Sequence, residues 1–333
     1  MPVFDSVQQM QGRRRAFRRR TFLSVGLAGV GAYLGYRWWR QRPQALAQRR
    51  TLYVTPNGDF YTVSISNRYP IVDPETWRLK IRSSAREREY SLEQIRALPV
   101  RQFAKTLSCI SNPVGGPAVG NAIWTATPLL SFLEAFDPEP GQRVVFRGLD
   151  GFDSSIPIEV ALGADVYLAY EMNGAPLPRK HGFPLRVLLP GKYGMKQPRW
   201  LTEIELTDDR ARGYWERRGW SETADIHPAS RIDSARPVSP EEWKVEGVAY
   251  AGAAAVRAVE VQVDGGPWQE ARITSPAVGD SWTTWEWSWK ARPGRYVIGS
   301  RVFDVQGNVQ EAGFSGTFPN GSTGTHRVIV EVS

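Results

Sequence analysis

The chain contains one cysteine, Cys109, in the stretch TLSCISNPVGG from Thr106 to Gly116. A packing cysteine prefers apolar neighbours, and this one sits among Ser, Asn, Pro and Gly. Such a loop suits a thiolate offered to a soft metal or to a substrate, because only the deprotonated sulfur does either job. Nucleophilic catalysis would need a histidine to meet it. The chain has three, His181, His227 and His326, and any of them could approach Cys109 in space. Composition alone also leaves open an inert, buried thiol. The histidines lie too far apart for a zinc motif, and His227 and His326 read as structural. Glu203, Glu205, Asp208 and Asp209 read as an exposed strand end rather than the paired acids of a hydrolase.

The elements that must position this loop read as an α+β unit. YSLEQIRALP has an N-cap at Ser91, helical spacing of Leu92, Ile95 and Leu98, and a stop at Pro99. TPLLSFLEAF repeats the pattern after Pro128, while GQRVVFRGLDG and GFPLRVLLPG read as strands bounded by Gly and Pro. SRIDSARPVSPEE reads as a linker. Beyond it, Val259, Val261 and Val263 alternate with polar residues before the turn at Asp264–Gly266, and Trp285, Trp287 and Trp289 alternate with Glu286 and Ser288. Period-two patterning with turn signals predicts an immunoglobulin-like β-sandwich, with the Trp stripe in its core or on a dimer face. The expected division is 1–50, 51–235 for the α+β domain and 236–333 for the sandwich.

The chain of 333 residues carries a formal charge of +8, but its first fifty residues hold 11 Arg and one acid, leaving 31 basic residues against 33 acids. A nearly neutral body lacks the footprint of a nucleic-acid binder, and no nucleic-acid partner is expected. Hydrophobic content of 41% is ordinary for a globular protein. With a single cysteine there is no disulfide framework, so compartment must be read from the N-terminus. There Arg18–Ser24, RRRTFLS, leads into an apolar or small run from Thr21 to Tyr36. At about 1.5 Å per residue that run reaches only about 24 Å, short for a bilayer span. RRRTFLS resembles a twin-arginine export signal, which suits proteins exported folded with a cofactor already inserted. The expected location is the periplasm or the extracytoplasmic face of the membrane. The segment is either cleaved near Ala45–Ala47 or kept as a membrane anchor, and an ordinary signal-anchor is the plainer alternative.

The segments TLSCISNPVGGPAVGNAIWTATPLLSFLEAF, SIPIEVAL, LAYEMNGAPLPRKHGFPLRVLLPGKYGMKQPRWLTEIEL, DGGPW and THRVIVEV, in that order, resemble the sulfite oxidase family of molybdenum enzymes from about Tyr53 to the C-terminus. The resemblance implies a sulfite-oxidase-type catalytic domain, a molybdenum–molybdopterin (pyranopterin) cofactor, and Cys109 as the thiolate ligand to the metal. It places His181 and Arg186 against the pterin, with Arg186 suited to grip a phosphate through its planar fork. It also places Lys196 and Arg199 near that phosphate, Gly194 where backbone amides can approach it, and Asn67 at the start of the domain. Asn112, with Ser111, would edge the catalytic pocket. Family members pair their sandwiches, so a homodimer is a further expectation.

The chain departs from true sulfite oxidases where those hold their anion. It has Ser66-Asn67-Arg68 in place of Arg-Asn-His, Pro113-Val114 in place of two Arg, and Val248 in place of a Tyr. A doubly charged oxyanion in a buried site without cations meets a desolvation cost of several kcal/mol. KYGMK resembles bacterial exported relatives that reduce sulfoxides. The expectation is therefore two-electron oxygen-atom transfer on a small neutral or sulfoxide-type substrate, with sulfite oxidation as the alternative. A cofactor-free binding or assembly protein on the same fold is the non-enzyme alternative. No CxxCH occurs, so no haem is expected in the chain, and electrons would come from a membrane haem protein or a periplasmic cytochrome.

Overall fold

A computed structural model describes residues 43–333 apart from Asn67 and Ala164. The expectations for the leader before residue 43 and for Asn67 lie outside the described residues. Among those described, no helix is long and apolar enough to cross a membrane.

The catalytic part is built on two five-stranded sheets. One carries the strands Glu87–Tyr90, Leu79–Arg82, Leu201–Thr207, Arg143–Gly148 and Asp153–Pro157, in that order. Its inward residues Leu79, Ile81, Phe146 and Ile204 are completely buried, each worth about 1.5–3 kcal/mol relative to exposure. The other runs Arg186–Leu188, Tyr167–Met172, Val119–Pro128 and Arg101–Ser108, with Ala175–Pro176 paired to Tyr167–Met172. Helices are few and short. Leu92–Arg96 starts at Ser91 with a full capping box, Ser91 accepting from the Gln94 amide and Gln94 from the Ser91 amide. Leu130–Leu133 continues as a 3-10 turn over Glu134–Phe136.

The all-β part is an eight-stranded path that folds on itself. Gln269–Ile273 pairs with Val256–Val263 in one sheet and with Thr283–Lys290 in the other, so one strand turns the corner between layers. The hairpin between Val263 and Gly266 places Asp264 and Gly265 at φ +48° and +76°, the left-handed pair that a two-residue turn demands. Trp285 and Trp287 are buried in the sandwich core, and Trp289 packs half-buried against it. Gly247 is required there, since a Cβ would lie 2.5 Å from the Trp285 indole.

The stretch expected as a linker is a strand. Ala229–Pro237 pairs antiparallel with Glu242–Tyr250 along its whole length, and Gln44–Ala45 pairs with Val328–Ile329. The sandwich therefore begins near 229 rather than 236 and takes in residues assigned to the leader. The polar residues that suggested a loop, Ser230, Asp233 and Ser234, are buried in the strand instead of solvated.

The thiol strand Arg101–Ser108 is an edge strand in its own sheet, and the sandwich covers that edge. The Thr106 amide donates to the Asp280 carbonyl (2.8 Å), the Trp282 amide to Thr106 Oγ1 (2.7 Å), and the buried Lys105 ammonium pairs with the Asp280 carboxylate. Tyr250 Oη and the Gly191 amide donate to the other Asp280 oxygen at 2.6 and 3.0 Å.

Candidate active site

Cys109 follows the last residue of its strand and opens a tight loop. Its amide donates to the Ala118 carbonyl (2.9 Å), and its carbonyl accepts from the Asn112 amide (3.0 Å). Its sulfur, half-buried, lies 3.1 Å from Ser111 Oγ, and the residue lines a pocket with a cavity volume of about 210 Å³. His181, Arg186, Gly194 and Arg199 line the same pocket. Five of the eight residues expected at the site thus converge on one space.

His181 is buried at the end of the 3-10 turn Arg179–His181. Its Nε2 lies 3.1 Å from the Asn57 carbonyl, which can only accept, so Nε2 carries the proton and Nδ1 is left with a lone pair. Burial, and then the nearby Arg186, push its pKa down to about 4, so the ring is neutral at pH 7.

Arg186 is the anomaly of the site. It is 4% exposed, and among the described residues no carboxylate pairs with it. Nη1 donates to the His181 carbonyl at 3.2 Å, the guanidinium lies 5.1 Å from the Trp124 ring, and Nε is buried without a partner. Desolvation, then repulsion from Arg199, lowers its pKa to about 9. A buried cation with an idle donor is costly unless something anionic completes it. Arg199 is better furnished. Its two terminal nitrogens reach the Lys180 and Val63 carbonyls at 2.7 Å, with Ser64 Oγ as a further partner, and Asp150 lies nearby in the lining. At Gly194 a Cβ would stand 3.3 Å from the Tyr61 hydroxyl and 3.5 Å from the Ser108 carbonyl, so a side chain there would crowd Tyr61 in the pocket lining.

Two expected residues are elsewhere. Lys196 is completely buried, but its ammonium is spent on Glu216 and on the Ser155 carbonyl (3.0 Å), outside the thiol pocket. Glu216 arrives from a 3-10 turn twenty residues later, and that carboxylate takes the charge the sequence offered to a phosphate. Asn112 turns its side chain back into the loop, where Oδ1 accepts from the Ala118 amide at 2.9 Å, and it lines a different hollow. Sequence reading missed Tyr61, Asp150, Trp215 and Trp220, which all line the thiol pocket. Nothing in their local sequence marks them, apart from the aromatic density of GYWERRGW.

The reverse side of the loop is gripped by the sandwich. Arg49 Nη1 donates to the Gly115 carbonyl (3.0 Å), Arg231 Nη1 to the Gly116 carbonyl (3.2 Å) and Ser322 Oγ to the Asn112 carbonyl (2.8 Å). Gly115, at φ +74°, lies against the His326 imidazole, where a Cβ would come within 2.2 Å. His326 Nδ1 accepts from the Ile232 amide at 3.0 Å, and burial pushes its pKa down to about 4. His227 bonds only the Asn320 carbonyl through its ring, at 3.1 Å.

A thiol, a neutral imidazole and an unpaired buried guanidinium around one pocket are a donor set that suits an anionic, soft-metal redox group. The fit is good: the orphan Arg186 donor awaits an anion, Gly194 leaves Tyr61 uncrowded, and the sulfur is accessible. Residues 66–215 match the oxidoreductase molybdopterin binding domain. Sulfite oxidase of Gallus gallus is 32% identical over 324 residues, covering 80% of this chain and 69% of that one. A putative protein-methionine-sulfoxide reductase subunit, YedZ1, of Azospira oryzae is 27% identical over 152 residues, covering 45% of this chain and 56% of that one. The crystal structure of the sulfane dehydrogenase SoxCD from Paracoccus pantotrophus superposes with a TM-score of 0.72 at 20% identity, covering 85% of this chain and 84% of that one, a likeness of fold. The chain belongs to the sulfite oxidase family of molybdopterin oxidoreductases. It spans 52% of the length of several of the curated sulfite oxidases that it matches.

Proposed function

We propose that this chain is a molybdopterin-dependent oxidoreductase with Cys109 as the protein's ligand to molybdenum, acting on a small neutral or sulfoxide-type substrate. The observation that carries the reading is the Arg186 guanidinium, buried with an unpartnered Nε in the pocket that Cys109 lines. When bound, the cofactor supplies two-electron oxygen-atom transfer, while the protein positions and tunes it. Arg186 would hold its phosphate and His181 would offer Nδ1 as an acceptor to the pterin. Arg199 ties Val63 and Ser64 down along the pocket wall.

Sulfite oxidation is the second reading, favoured by the likeness to the Gallus gallus enzyme. Against it stands the lining, which among the described residues holds no Lys or Arg besides Arg186 and Arg199, the pair this reading gives to the cofactor. A cofactor-free assembly protein is the reading from another class, and it leaves the cost of burying Arg186 without a compensating partner. Export through the twin-arginine-like N-terminus, with or without retention as an anchor, an electron partner in the form of a membrane haem protein or periplasmic cytochrome, and pairing into a homodimer belong to the same proposal.

The test is metal content and turnover of full-length protein made in a pterin-competent host. The expected result is about one molybdenum per chain, with turnover that Cys109→Ser lowers by at least about a thousandfold while the fold remains, because hard oxygen replaces soft sulfur. Full activity of Cys109→Ser, or a correctly folded wild-type chain without molybdenum, overturns the reading.

A further inference from the structure

The pocket has two chemically distinct ends. At one end Arg186 lies over Trp124, whose ring packs in the core of the Arg101–Ser108 sheet, and His181 packs edge-on against Phe60 with centroids 5.5 Å apart. The other end is apolar. Ile110, the residue after Cys109, clusters with Tyr193, Met195 and Ala224, and Trp215 and Trp220 pack against this group half-buried. The two indoles meet edge to face, with centroids 6.3 Å apart at 74°, and Ile110, Met195, Trp215 and Trp220 all line the cavity. Trp220 continues outward to Phe318 at 5.2 Å, and Phe318 is 60% exposed.

We propose that Trp215 and Trp220, with Ile110 and Met195, form the substrate subsite and determine specificity, selecting a neutral sulfoxide that carries an apolar or aromatic substituent. This rests on the reading of Cys109 as the metal ligand, because Ile110, the next residue in the chain, belongs to the apolar group. An oxyanion entering there would lose its hydration and find no cation among the lining side chains at that end. An organosulfur group finds aromatic edges and a thioether, partners that suit a polarizable sulfur. The aromatic substituent stacks edge to face on indoles already fixed by their mutual contact. In the net reaction the S=O bond breaks, sulfur gains two electrons, and the oxygen leaves with two protons as water, the electrons coming from a reduced viologen dye in the assay.

The experiment compares the molybdenum-loaded wild type with Trp215→Ala, Trp220→Ala and Trp220→Phe, each checked for metal content and melting temperature. The first measurement is calorimetric binding of methyl phenyl sulfide, which is not turned over. The second is the ratio of kcat/KM for methyl phenyl sulfoxide to that for dimethyl sulfoxide. Each alanine variant is expected to weaken sulfide binding and to lower the ratio about tenfold, mainly through KM, with Trp220→Phe recovering most of the loss. Should wild type reduce sulfoxides while neither alanine variant moves the ratio or the binding, the subsite is overturned and the reaction stands. Should wild type reduce no sulfoxide yet bind the sulfide through Trp220, the reaction falls and the subsite stands.

Discussion

The loop that carries Cys109 has two faces furnished in opposite ways. On the sandwich side nearly every carbonyl has a donor: Arg49, Arg231 and Ser322 bond three of them, and the His326 ring fills the space beside Gly115. On the pocket side Arg186 keeps an idle Nε, His181 a free lone pair, and the sulfur only a serine hydroxyl. Hydrogen bonds satisfied within the protein confer rigidity, whereas groups left unsatisfied in a buried place are held ready for a ligand. The contrast separates the residues that fix the thiol loop from those left open on its pocket side.

The contrast can be broken first on the pocket side. Arg186→Leu is expected to reduce cofactor retention about 100-fold, the value of a lost charge-assisted pair of bonds. The same change should leave the melting temperature of the cofactor-stripped chain unchanged or raise it, since it deletes an unpaired buried charge. A stripped variant that melts well below wild type would mean that Arg186 is structural. On the sandwich side the effect should be on stability. Gly115→Ala forces a side chain into φ +74° and into the His326 ring, and should cost about 2 kcal/mol or more. Much of the steric part should be relieved in Gly115→Ala/His326→Ala, a coupling that chemical denaturation of the four proteins in the cycle reads directly.

The last effect, on the pH dependence of stability, involves both faces. His181 and His326 are each held near pKa 4 by burial, against about 6.5 in the unfolded chain. Between those values the unfolded state binds more protons than the folded state, so stability falls as pH drops from about 6.5 to about 4 and is flat in this respect above 6.5. The denaturant midpoint should therefore drop between pH 7 and pH 5, and His326→Gln should remove part of that dependence. An unchanged pH profile in His326→Gln would place its titration elsewhere.

Much of this was legible in the sequence, and the failures have physical causes. Val259 and Val261 advertised their strand because their partners across the hairpin are close in sequence and one face is simply apolar. Ala229–Pro237 concealed itself because it buries Ser230, Asp233 and Ser234, with Asp233 matched to Arg231, so its alternation is not one of hydropathy. His181, Arg186 and Gly194 could be placed because a short segment sets their positions. Lys196 could not, because Glu216 decides its fate from a separate turn. Trp215 and Trp220 were missed for a related reason: an indole declares its role only when its neighbours Ile110 and Met195 have been brought to it by the fold.

The buttress that Asp280 provides to Lys105 and to the Thr106 amide has a consequence for how the molecule comes apart. Because the edge that ends at Cys109 bonds its Thr106 amide and its Lys105 side chain to Asp280 of the neighbouring domain, neither half can melt without exposing unpaired groups in the other. Heating should yield one calorimetric transition spanning both domains, and a protease should find no cut between them that leaves two intact fragments.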